Sequence, residues 1–111
     1  MTYKAPVNDI VFTLNHEAGF DRLVQSGAYP DLSDDLVDVI LDEAAKFADN
    51  IVAPLSWEGD QTGARLEDDG VKVPESFKEA YAKYVESGWS TLAAPTDYGG
   101  QGLPLALSNV V

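Results

Sequence analysis

The chain has 111 residues, the length of one small domain with a single core and too short for a two-domain enzyme. Nineteen acidic against seven basic residues give a formal net charge of −12, which repels polyanions and excludes nucleic acid and anionic membrane surfaces as expected partners. With no cysteine there is no disulfide framework and no thiolate chemistry, while 45% hydrophobic and 10% aromatic residues describe a folded chain rather than a disordered one.

The opening segment, Met1 to Asn8, contains Lys4, Ala5 and Pro6 without periodicity and predicts an extended arm. Val7, Ile10, Val11 and Leu14 then recur at three- and four-residue spacing, which predicts a helix, although Val11-Phe12-Thr13 also suits a strand. Gly19 is placed to end that element, and Phe20, Leu23 and Val24 form a second short apolar face before Gly27 and Pro30. No apolar run approaches the roughly 18 residues of a membrane span, and no basic-then-apolar leader precedes these elements, so a cytoplasmic protein is expected.

Asp31-Leu-Ser-Asp-Asp opens the longest predicted helix, with Ser33 or Asp31 as the N-cap and acids at the positive end of the helix dipole. Its apolar stripe runs through Leu36, Ile40, Ala44, Phe47, Ala48, Ile51 and Leu55, widened by Val37, Leu41 and Val52, and so needs two neighbours to cover it. Pro54 removes a backbone donor and predicts a kink or an end, with a kinked continuation through Trp57 as the other outcome. Gly59 to Val73 has no periodic apolar set and is expected to be a surface connection. Pro74 is suited to the first position of a further helix, whose face carries Phe77, Tyr81, Tyr84 and Val85 up to Gly88. Trp89 is expected to dock back on the core, and Leu103 to Val111 to open a last helix, with Pro104 suited to its first turn.

The chemistry-bearing patterns are sparse. Asp34, Asp38 and Asp42 form an acidic ridge that suits a solvated face better than a carboxylate metal site. Neither Asp60–Arg65 nor Glu67–Gly70 has the register of a calcium loop, and His16 is the single histidine in a chain without cysteine, so no metal site is expected. Gly88-Trp-Ser-Thr-Leu lacks the last glycine of a nucleophile elbow. Trp57, Tyr81, Tyr84 and Trp89 read as core aromatics in preference to stacking platforms for a ligand. Gly99, Gly100 and Gly102 fit neither a dinucleotide fingerprint nor a phosphate loop; they permit positive φ or close approach of another backbone or ligand.

Pro95-Thr-Asp-Tyr-Gly-Gly-Gln-Gly-Leu-Pro nonetheless resembles the P-x-x-Y-G-G-x-G-L-P signature of acyl-CoA dehydrogenases. Ile51-Val-Ala-Pro-Leu with Asp60-Gln-Thr-Gly, and Val73-Pro-Glu-Ser-Phe through Gly88-Trp, are similar to the helices that precede that signature. The opening Tyr3-Lys-Ala-Pro-Val-Asn-Asp-Ile-Val-Phe-Thr-Leu resembles the N-terminal extension of a longer bacterial subgroup that includes 3-methylmercaptopropionyl-CoA dehydrogenases.

The resemblance implies an all-α fold of about four to five helices, with residues 1–30 as an extension and 31–111 as the N-terminal helical domain, cut in its last helix. For the parent protein it implies FAD, an acyl-CoA substrate oxidised to the enoyl-CoA, an electron-transfer flavoprotein as acceptor and a homo-oligomer. A glutamate base and most of the flavin and coenzyme A contacts belong to later domains, so this chain is expected to carry no catalytic residue and no cofactor of its own. Tyr98, Gly99, Gly100, Gly102 and Leu103 match the loop near the acyl pocket. The apolar faces that meet the other domains are expected to be bare. A self-contained helical interaction module is the alternative, and a small carboxylate metal-binding protein a third.

Overall fold

The computed structural model describes residues 2–111; Met1, at the tip of the expected arm, lies outside the described residues. Helix α1 (Val7–Phe12) begins inside the expected arm and runs on through a wide π turn, Thr13–Glu17, so the strand alternative at Val11–Thr13 is not realised. Leu14 is buried and Val7, Ile10 and Val11 are half-buried on one side, as the spacing requires. Gly19, at φ 69°, turns the chain into α2 (Phe20–Gln25), which inserts Phe20 into the core.

Helix α3 (Asp34–Phe47) starts at Ser33, whose hydroxyl oxygen accepts from the Leu36 N–H at 3.2 Å. Its most deeply buried residues are Val37 and Leu41, so the centre of the apolar stripe lies at what the spacing placed on its margin. Beyond Phe47 the rod widens into a second π turn, Ala48–Val52, with Ala53 N–H donating to the Ala48 carbonyl at 2.8 Å. Helix α4 (Leu55–Thr62) then resumes after Pro54, so the chain takes the kinked continuation and carries it past Trp57. With each wide turn counted as part of its rod, the fold is helical with five rods and one small sheet.

The stretch expected to be only a surface connection is helix as far as Thr62 and then a hairpin, β1 (Arg65–Glu67) and β2 (Gly70–Lys72), antiparallel with Leu66 opposite Val71. Asp68-Asp69 and Gly70, at φ 130°, make its turn, and a two-residue turn between three-residue strands leaves too little apolar pattern for periodicity to register. Helix α5 (Glu75–Glu86) follows, and α6 (Leu105–Val110) ends the order. Pro74, expected at the first helical position, and Pro104, expected in the first turn, each stand one position before their helix. Their ψ angles of 141° and 142° are extended, and their carbonyls accept the first turn's N–H groups of Phe77 and Leu107.

The core sits at one end of the molecule. Leu14, Phe20, Leu32, Val37, Leu41, Leu92, Leu103 and Leu107 are buried together, drawn from α1 to α3, α6 and the loop before it. Segment 1–30 thus contributes to the same core as the residues that follow. The other end, built from the π turn after α3, α4, the hairpin and α5, is a thin wing in which α5 buries no residue at all.

Candidate functional site

The loop between Thr91 and Pro104 is held from below by its own backbone. The Gly100 N–H donates to the Pro95 carbonyl at 3.0 Å, Gln101 N–H to Thr91 at 3.0 Å, Gly102 N–H to Ala94 at 2.9 Å and Leu103 N–H to Leu92 at 2.9 Å. These bonds fold Gly100–Leu103 flat against Thr91–Pro95, and buried Leu92 and Leu103 pin both limbs to the core. At Gly100 a Cβ would stand 2.0 Å from the Ala94 carbonyl oxygen, so only glycine lets the two backbones approach. Gly99, at φ 81°, faces open space and serves conformation instead.

A second clamp ties the loop to the end of α5. Gln101 Nε2 and Thr91 Oγ1 both donate to the Gly88 carbonyl, at 2.9 and 3.0 Å. Next to it Trp89 packs against the core with its ring 6.4 Å from that of Phe47, as its docking role predicts, and its indole N–H is buried without a hydrogen-bond partner among the described residues. The turn Gly88–Leu92 is a single 3-10 turn, with no strand before it, so the elbow geometry is absent there.

The five residues matched to the acyl-pocket loop are thus contiguous but unlike in setting. Gly100, Gly102 and Leu103 are packed into the scaffold, while Gly99 and Tyr98 form an exposed crest, Tyr98 at 88% of its possible exposure. Asp97 and Tyr98 are the loop's only titratable side chains and both are exposed. Such a loop can hold a shape and present one phenol; it brings no base and nucleophile together.

The other candidate patterns disperse on the surface. Asp34, Asp38 and Asp42 are exposed, and no group of three His, Cys, Asp or Glu among the described residues is arranged to hold a metal ion. His16 is exposed, its ring 4.7 Å from Phe12. Lys46, on the outer face of α3, has its ammonium pKa raised by the hydrogen bond and charge of Glu43, with Asp42 adding to the effect against a small desolvation loss. An open hollow of about 620 Å³ between the arm and α3 is lined by Asp9, Asp42 and Asp49 as well as Lys4 and Lys46. That donor set does not fit the pyrophosphate of a dinucleotide such as FAD, and no flavin chemistry follows from these residues.

The aromatic residues depart furthest from expectation. Trp57 and Tyr81 are 74% and 68% exposed, and Tyr84 and Phe77 lie at the edge of exposure, so only Trp89 of the expected core aromatics packs inward. Phe47, Val52, Leu55, Phe77, Tyr81 and Tyr84 line an open groove of about 390 Å³ between the kinked rod and α5. The helical stripe on α5 is legible in the sequence; that nothing among the described residues covers it is not. Among the described residues no helix is long and apolar enough to cross a membrane.

No family model matches the chain. It is 40% identical over 104 residues to a 3-methylmercaptopropionyl-CoA dehydrogenase from Ruegeria pomeroyi, a match that covers 94% of the chain and 18% of that enzyme. It is 30% identical over 107 residues to the broad-specificity linear acyl-CoA dehydrogenase FadE5 of Mycobacterium tuberculosis, covering 95% of the chain and again 18% of the relative. The chain therefore spans about a fifth of the length of these relatives. Over nearly the whole of its length, the homologues of this chain are acyl-CoA dehydrogenases.

Proposed function

We propose that this chain is the N-terminal helical section of a larger FAD-dependent acyl-CoA dehydrogenase, an enzyme that oxidises an acyl-CoA thioester to the enoyl-CoA. The observation that carries the reading is similarity across 94% of the chain to a 3-methylmercaptopropionyl-CoA dehydrogenase over 18% of that enzyme's length. Within that enzyme the section is structural, with residues 1–30 as an extension that packs into the same core as the domain of residues 31–111. Its contribution to the active site is the loop, whose exposed crest at Tyr98 and Gly99, held in place by the packed Gly100, Gly102 and Leu103, shapes the rim of the acyl pocket. The doubly clamped backbone supports this role, because a rim that excludes water and orients a thioester chain must not collapse into the cleft. FAD, the catalytic base and the contacts to the electron-transfer flavoprotein belong to later parts of the polypeptide, in a cytoplasmic homo-oligomer.

The test is made on the polypeptide read through past Val111. It is expected to purify with bound flavin and to reduce an artificial electron acceptor when given a saturated acyl-CoA, whereas the 111 residues alone do neither. A long polypeptide without flavin and without acyl-CoA oxidation overturns the assignment. The bare aromatic groove favours a second reading, a self-contained helical interaction module without enzymatic activity; it requires the 111 residues alone to capture a protein partner in a stable complex.

A further inference from the structure

We propose that Trp89, Phe47, Tyr84 and Tyr81 form an aromatic relay that carries a one-electron oxidation out of the core to the solvent-facing phenol of Tyr81. Between ring centroids, Trp89 stands 6.4 Å from Phe47, Phe47 6.2 Å from Tyr84, and Tyr84 6.4 Å from Tyr81. Each step lies within the ~4.5–7 Å separation of rings in contact, so the series is unbroken from end to end. It also crosses the boundary of the core. Trp89 packs against the buried cluster beside the Gly88 clamp, Phe47 is half-buried, Tyr84 lies at the edge of exposure and Tyr81 is 68% exposed. All of these side chains belong to this chain, and no step needs a cofactor or a later domain.

The two ends differ in what they can do with a proton, and that difference sets the direction. The Trp89 indole N–H is buried without a hydrogen-bond partner among the described residues, so an indole oxidised there keeps its proton and becomes a cation in an apolar setting. Burial penalises such a charge, which makes the Trp89 radical cation a strong acceptor of an electron from its neighbours. Phe47 has no ionisable proton and a ring harder to oxidise than indole or phenol, so it serves as the bridge. At the far end Tyr81 is wetted and lies nearly parallel to Tyr84, with ring planes 24° apart. Its phenol gives its proton to water as the electron leaves and ends as a neutral radical. The oxidant, an oxygen-derived radical able to oxidise indole, gains one electron; Trp89 is restored; Tyr81 has lost one electron and one proton. A water-soluble thiol then returns a hydrogen atom to Tyr81 at the surface and leaves as a thiyl radical.

The test uses the 111-residue chain carrying Trp57→Phe, which removes an exposed indole outside the relay and leaves Trp89 as the sole tryptophan. A light flash at the red edge of indole absorption, where phenols are transparent, ionises Trp89, and transient absorption follows the indole and tyrosyl radicals. The expected result is an indole signal that decays as the tyrosyl signal rises, at a rate independent of chain concentration, with a nitroso spin trap located on Tyr81 by peptide mass spectrometry. Tyr81→Phe with Tyr84→Phe is expected to abolish the tyrosyl signal. Phe47→Leu is expected to slow its rise in the folded chain and to leave it unchanged in denaturant, where Tyr84 and Trp89 meet only through their nearness in sequence. A tyrosyl signal that survives the double tyrosine variant overturns the proposal. So does a rise that is indifferent to Phe47 in the folded chain or that scales with chain concentration, and so do trapped adducts confined to Trp89.

Discussion

The clearest distinctions in this chain lie between neighbouring glycines. Gly100 is required for close approach, since an added methyl meets the Ala94 carbonyl at 2.0 Å, and Gly100→Ala is expected to cost about 2–4 kcal/mol by forcing the loop off its base. Gly99 has open space and a φ of 81°, so Gly99→Ala carries only the left-handed penalty of about 1–2 kcal/mol. Urea unfolding of the two variants should rank them in that order; equal losses would mean that the backbone contact at Gly100 does not matter. Leu107, with no exposed surface, is the anchor of α6, and Leu107→Ala is expected to lose about 2–5 kcal/mol in the same measurement. From the sequence, three glycines between prolines already indicate a constrained turn and match a family signature. Which glycine serves sterics and which serves φ depends on the carbonyl of Ala94, a partner set by the fold of the limb before the loop.

Among elements, burial is unequal, and stability should follow it. Helices α1 to α3 and α6 share the buried core, while α5 has a regular backbone over 12 residues and no buried side chain. Amide exchange of the 111-residue chain should therefore protect Val37 and Leu41 most and release α5 and the hairpin first. Equal protection in α5 and α3 would show that the wing is stabilised by something other than apolar burial. Most of these elements are legible beforehand, because capping at Ser33, left-handed glycines at 19 and 88 and three- to four-residue spacing are local signals. The hairpin is not, and at Pro54 the sequence offers an end or a kinked continuation without choosing between them. The first has too few residues to show a period, and the second is decided by a π turn at Ala48–Val52 that helical periodicity does not mark.

At the scale of the molecule the shape is a slab, 53 × 36 × 19 Å, with a radius of gyration of 16.9 Å against about 13 Å for a compact chain of this length. One dimension is little more than two packed helices, so an apolar face on the wing has no second layer above it. The isolated chain is expected to associate as its concentration rises and to enhance the fluorescence of an apolar dye, and Tyr81→Glu with Tyr84→Glu should diminish both. A strictly monomeric chain that binds no dye, judged by light scattering and titration, would contradict the exposed groove. Bare apolar faces were foreseeable from the resemblance to a longer enzyme. Their position on α5 was not, because periodicity marks which residues share a face and is silent on whether anything lies opposite.

The π turn at Ala48–Val52 gives the rod one residue more than a regular helix needs for that turn. Each helical residue advances the direction of the following side chains by about 100°. The extra residue therefore acts as a fixed gear offset that points Leu55 and Phe47 into the same groove despite the bend between them. Shortening the rod there by one residue would straighten its hydrogen bonding and turn everything after it to a different heading. Length at this point is thus a coordinate of the surface, and homologues that differ by a single residue in the turn would present a differently aimed face to whatever they meet.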